Sequence, residues 1–204
     1  MKKIITLLKV CLLLHLACAS QQTFKKDIPL EKDGHIDYFF KYISQDSKDL
    51  GLGFIENGYD SLQVRIWLGH SLAVNKNIII LKKNNGKWSG QLITYSYGHD
   101  EKNGKEFLNK KYIKEITPKS GWEYLTKKMM EFKILTLPNS NDILGYNDCG
   151  NDGIAYFFEI ATLQKYRFYY YCNPGDNQSK FWEAKYVLEF SNLLENEFNF
   201  SYTK

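Results

Sequence analysis

The mature part of this chain predicts an α+β fold, a single two-layer domain in which an antiparallel sheet of about five to six strands packs against two to three helices. Three observations carry that reading. Leu62, Val64, Ile66 and Leu68 alternate with Gln63, Arg65 and Trp67, which is the period of a half-buried strand. Asn85-Gly86 separates two apolar runs and supplies the positive backbone angles of a tight antiparallel hairpin. Strand patterns come in groups, followed by a helix, a hairpin and a helix, whereas a parallel sheet would alternate single strands with single helices.

The elements follow in order. Ile36, Phe39, Phe40 and Ile43 stand at helical spacing and predict a short helix over residues 35–43. The strand at 62–68 comes next, then the hairpin of 77–83 and 87–97 around Asn85-Gly86. Residues 98–104 read as a polar loop, and 111–117 as a further strand. Ser120 with Glu123 forms a capping box, and Trp122, Leu125, Met129 and Phe132 share the face of a helix that must end before Pro138. A glycine-rich loop (Gly145, Gly150, Gly153) leads to aromatic strands over 154–161 and 165–172, turning near Leu163. Ser179 opens a last helix with Ala184, Val187, Leu188, Leu194 and Phe198 on one face.

Residues 1–17 read as an export signal. Lys2 and Lys3 precede an apolar stretch too short for a bilayer core, which needs roughly 20 apolar residues. Two endings overlap there. Leu16-Ala17-Cys18 resembles a lipobox, which would make Cys18 a lipidated N-terminus on a tether over 18–33, although His15 stands where such signals usually carry leucine. Ala17-Cys18-Ala19 is also a small-x-small site that would release a soluble protein beginning at Ser20. Lipidation is the favoured expectation, with residues 34–204 as the folded domain.

Without the signal the chain loses Lys2, Lys3 and Lys9, so its formal net charge drops from +4 to +1. A near-neutral domain with scattered lysines lacks the concentrated basic face of a nucleic-acid binder. Of four cysteines, Cys11 and Cys18 belong to the leader and its end, which leaves Cys149 and Cys172. In an oxidising compartment that pair reads as a disulfide, the alternative being two buried thiols. Reflecting Cys172 through the turn at Leu163 lands near Ile154. Cys149 therefore needs the glycines of Gly150-Asn151-Asp152-Gly153 to fold the chain back.

The local patterns that suggest chemistry are each outweighed by a plainer reading. Gly69-His70-Ser71-Leu72-Ala73 nearly matches a nucleophile elbow, but a strand follows where a helix is needed. Asp148, Asp152, Gly153 and Glu159 fit four positions of a calcium loop. Gly150 fills a ligand position, however, and a strand follows instead of the exiting helix. His35, His70 and His99 have no metal spacing. No metal, cofactor or catalytic residue is expected.

Aromatic residues crowd 156–182, and the hairpin carries them on both faces. Either a helix covers the outer face, or Tyr166, Tyr169 and Tyr171 form a candidate partner-binding surface for protein or glycan. The strand Leu62-Gln63-Val64-Arg65-Ile66-Trp67, the Asn85-Gly86 hairpin and the run from Lys165-Tyr166-Arg167-Phe168 through Asn173-Pro174 to Trp182-Glu183-Ala184-Lys185, behind a lipoprotein-like signal, together resemble uncharacterised cell-envelope lipoproteins of Bacteroidota bacteria. That resemblance implies the envelope of a Gram-negative cell, with lipid anchoring at the outer membrane, or release to the periplasm if ordinary cleavage prevails. It carries no activity over. Asp60-Ser61-Leu62 also looks like the short O-glycosylation site of such bacteria. The functional expectation is a non-enzymatic binding, inhibitor or immunity-type module; the alternative is a periplasmic hydrolase whose site assembles from distant segments.

Overall fold

The computed structural model describes residues 24–70, 74–146 and 153–201. Its centre is a seven-stranded sheet, mostly antiparallel. In chain order the strands are β1 (Lys25–Asp27), β2 (Leu62–His70), β3 (Lys76–Asn84), β4 (Lys87–Asp100), β5 (Lys105–Ile116), β6 (Ile154–Thr162) and β7 (Lys165–Cys172). The helices are α1 (Tyr38–Asp49), α2 (Gly121–Glu131), the single turn α3 (Pro174–Asn177) and α4 (Trp182–Phe198). Across the sheet the order is β1-β7-β6-β2-β3-β4-β5, with β1 alone parallel to its neighbour.

The β3–β4 turn forms as its residues dictate: Asn85 has φ 49° and Gly86 φ 77°, the paired positive angles of a twisted two-residue hairpin. The next connection is tighter than its composition suggests. Strand pairing continues through Gly98 to Asp100, so the loop expected at 98–104 shrinks to residues 101–104. Two causes are visible. The ring of Phe107 lies where a Gly98 side chain would stand, 2.7 Å from an added Cβ. The Asp100 carboxylate accepts from the Lys102 amide at 2.9 Å and from the Asn103 side chain at 2.6 Å, which closes the turn locally.

Both faces of the sheet are covered, so the two-layer expectation is corrected to helices on either side. One face buries Val64, Ile66, Leu68, Tyr156 and Phe158 against Leu125 and Met129 of α2 and Val187, Phe190 and Leu194 of α4. The other buries Trp67, Ile78, Ile80, Phe157 and Phe168 against Ile43 of α1, flanked by Phe39 and Phe40. Each such side chain contributes about 1.5–3 kcal/mol of burial. The central strands are apolar on both sides for this reason, while β2 keeps its alternation because Gln63 and Arg65 are buried polar residues.

Two local readings are corrected. Residues 25–27, assigned to a tether, form β1. These three residues carry two lysines and an aspartate, and the strand is held by its partner: Arg167 of β7 donates from Nε to Asp27 at 2.8 Å, and Lys165 lies 3.4 Å away. The capping box at α2 is replaced. Ser120 makes no cap bond to its own helix but donates its hydroxyl and amide to the two carboxylate oxygens of Glu197 in α4, at 2.9 and 2.8 Å. That glutamate binds the start of one helix to the end of another.

Candidate functional site

The tyrosines of the β6–β7 hairpin come first, because they formed the candidate partner surface. Tyr166, Tyr169 and Tyr171 are each 0% exposed, so that surface is corrected: their rings lie inside the two cores. What distinguishes them from phenylalanine is the hydroxyl, and each one reaches a specific acceptor. Tyr166 donates to Glu159 at 3.0 Å, Tyr169 to the Ile134 carbonyl, and Tyr171 to the Pro138 carbonyl at 2.8 Å. Two of the three therefore clamp the segment that follows α2. Arg167, between them, adds bonds to the carbonyls of Leu135 at 3.0 Å and Leu137 at 2.8 Å. The density of tyrosine in β7 is explained by loop anchoring.

Two polar clusters lie within the α1-side core. In the first, Glu159 accepts from Trp67 Nε1 at 2.8 Å and from Tyr166, with the Arg65 guanidinium 3.8 Å away. Arg65 also donates to the Gly53 carbonyl. Burial pushes the Glu159 carboxyl above its usual value, while Arg65, Trp67 and Tyr166 pull the other way. In the second, Asp46 of α1 accepts from Tyr95 at 2.6 Å and Tyr97 at 2.8 Å. The Lys76 ammonium sits 3.7 Å from Asp46 and over the rings of Tyr42 (4.8 Å) and Tyr97 (4.9 Å). Desolvation first, then the Asp46 charge, hold the Tyr95 hydroxyl far above the ordinary tyrosine value. Both clusters join elements that are distant in sequence, and both are satisfied internally.

A groove of about 900 Å³ opens between residues 30–33, the start of α1 and residues 140–146. Its walls combine the rings of Phe39, Tyr146 and Tyr170 with Glu31, Asp33 and Asp142, and Leu144 stands 99% exposed at its rim. At its floor Tyr170 accepts from the Asn141 amide and donates to Asp37 at 3.1 Å. The other Asp37 oxygen accepts from the Phe40 amide at 3.0 Å and so caps α1. Desolvation raises the Asp37 carboxyl, partly offset by these bonds. Asp37 thus has both oxygens committed, and the groove offers ring faces, amide and hydroxyl groups and exposed carboxylates. Sequence reasoning missed it because its residues come from three separated segments.

The other candidates fall as follows. Gly69 and His70 end β2, which is antiparallel to both its neighbours, so the strand frame of a nucleophile elbow is missing; Ser71 lies outside the described residues. Glu159, the twelfth position of the calcium-like loop, is the buried partner of Arg65, while Asp148 and Asp152 lie outside the described residues. Among the described residues no group of His, Cys, Asp and Glu could hold a metal, and no helix is long and apolar enough to cross a membrane. Cys18 and Cys149 also lie outside the described residues; Cys172 is buried at the end of β7, opposite Ala155. Ser61 is exposed just before β2.

The fold and groove define a single α+β domain around an open, mostly antiparallel sheet. No family model and no curated protein matches the chain.

Proposed function

We propose that this is an exported protein of a Gram-negative cell envelope, lipid-anchored through Cys18, that acts by binding a protein or glycan partner, as an inhibitor or immunity-type module would. The observation that carries the binding reading is the groove, where aromatic faces stand beside amide, hydroxyl and carboxylate groups and Leu144 projects freely at the rim. Such a combination suits a partner that offers both apolar and hydrogen-bonding surface. The commitment of Asp37, Asp46 and Glu159 to structural bonds supports binding over catalysis. A hydrolase is the second reading, favoured by Glu31, Asp33 and Asp142 lining the same groove.

The proposal includes a Cys149–Cys172 disulfide. Its support is that Ile154 and Asn173 are bonded across the hairpin end, which returns the chain beside Cys172 just after the Cys149 segment. Intact mass of protein from its own host tests anchor and bridge together, through acyl mass on Cys18 and two hydrogens fewer than the dithiol. For the partner, immobilised domain is exposed to detergent-solubilised envelopes beside the variants Leu144→Glu and Asp142→Lys. A ligand retained by the native domain and lost by both variants supports the reading; nothing retained above background overturns it. Turnover abolished by Asp142→Asn in a hydrolase screen would favour the second reading.

A further inference from the structure

β5 closes one edge of the sheet and is paired only on its β4 side. A strand of twelve residues that leaves one row of amides and carbonyls unpaired is normally short, bulged or charged to prevent association. Here the protection is uneven. A bulge at Ser96/Tyr97 interrupts the outer half of the β4–β5 pairing, but residues 110–116 pair regularly. In that regular part Tyr112 is 66% and Ile113 54% exposed. Lys110, Tyr112 and Lys114 project on one face, beside the neutral Ser96, Thr94 and Leu92 of β4, and among the described residues neither ammonium has a carboxylate partner.

We infer that this edge accepts an extended acidic segment of another protein, which adds as an eighth strand with carboxylates at alternate positions facing Lys110 and Lys114. Backbone bonds to β5 provide the attachment, and side-chain alternation provides the selectivity. A second copy of this chain is the poorer fit. An antiparallel pair centred on Tyr112 sets Lys110 against Lys114 twice. A pair centred on Ile113 sets Lys111 against Glu115, but Lys111 already donates to the Leu50 carbonyl and Glu115 already accepts from Gln91 at 2.6 Å. The surface is separate from the groove, so the inference stands or falls independently of the groove's ligand.

The probe is a fluorescein-labelled heptapeptide of alternating glutamate and valine, titrated against the full domain and followed by anisotropy. Binding is expected, weakened by salt, lost when alternate peptide amides are N-methylated, and reduced about tenfold or more in Lys110→Glu/Lys114→Glu. That variant is expected to retain the native circular dichroism, since both side chains are exposed. Absence of binding at millimolar peptide overturns the inference, as does equal binding of the N-methylated peptide or of a lysine–valine peptide. Sedimentation showing a dimer of the native domain that the acidic peptide does not disperse would assign the edge to self-association instead, and would also overturn it.

Discussion

Replacing Glu159 by alanine tests the energetic reading of the buried cluster. The substitution leaves the Arg65 guanidinium without its carboxylate, in a site where its side chain is only 4% exposed, with the Gly53 carbonyl as a remaining acceptor. It also strands the Trp67 indole N–H and the Tyr166 hydroxyl, which now donate to Glu159 at 2.8 and 3.0 Å. Removing one partner of a buried pair costs about 3–5 kcal/mol, and stranded donors raise the loss toward the upper end of that span without adding in full. For a domain of this size each kcal/mol lowers Tm by about 2–4 °C, so Glu159→Ala should melt roughly 6–20 °C below the native protein. The double variant Arg65→Met/Glu159→Leu removes both charges while filling much of their volume, and should recover most of that loss. Urea unfolding of Arg65→Met, Glu159→Leu and the double variant gives the cycle. If Glu159→Ala loses under about 1 kcal/mol, or if the double variant loses the sum of the singles, the cluster is not the coupled unit its distances describe. Should the alanine variant fail to fold, Glu159→Gln keeps the shape and one acceptor, and is expected to cost about 1–2 kcal/mol.

Three further outcomes are expected. Burial, reinforced in several cases by neighbouring carboxylates, holds eight tyrosine hydroxyls above their ordinary value: 42, 95, 97, 146, 166, 169, 170 and 171. Their stabilisation is complete below pH about 10 and is lost as pH rises toward the folded-state values, so roughly half of the 295 nm ionisation amplitude should appear only with loss of far-ultraviolet dichroism. A smooth titration of all fifteen tyrosines in the folded state would contradict this. At β1, desolvation raises the Asp27 carboxyl, but Arg167 and Lys165 together outweigh it and leave it lowered. Docking of β1 should therefore weaken as pH falls below the usual carboxylate range, and Arg167→Met should speed hydrogen exchange at Lys25 and Lys26 at neutral pH; unchanged exchange counts against the Asp27 contact. Gly90→Ala would bring a Cβ within 2.9 Å of the Trp122 ring and 3.0 Å of Ile116, in a buried position. A loss of about 1–3 kcal/mol in denaturant unfolding is expected, and a neutral result would mean that Trp122 yields easily.

Much of the fold was readable in the residues, and the exceptions share a cause. β2, the Asn85-Gly86 hairpin and the β6–β7 pair carry their information locally, in side-chain alternation and in a turn that only certain residues form, so each lies within two or three residues of its expected ends. β1, the extension of β4 through Gly98 and the Ser120–Glu197 cap depend on partners far along the chain: Arg167 for the first, Phe107 over a glycine for the second, the last turn of α4 for the third. The second helical face was hidden for the same reason, because aromatic residues on both sides of β7 fit one covered face and one bare face equally well. The tyrosines stand out by their density, but periodicity leaves a covered face and an outer binding surface both open. Their hydroxyl acceptors are backbone carbonyls and buried carboxylates, which no periodicity encodes. The groove left no pattern, since Leu30, Phe39 and Asn141 meet only through the packing of α1 against the sheet.

The parallel docking of β1 also bears on the proposed lipid anchor. With Cys18 as the anchored residue, seven peptide steps separate it from Lys25, a reach of roughly 25 Å at full extension. The domain would then hang from one margin of its sheet on a short leash, with a pull directed along β1 and resisted by the Arg167–Asp27 pair. The opposite margin, β5, lies six strand spacings away, about 29 Å. A molecule arriving from the aqueous side would meet the lysine-bearing edge first, while the bilayer kept the other edge for itself.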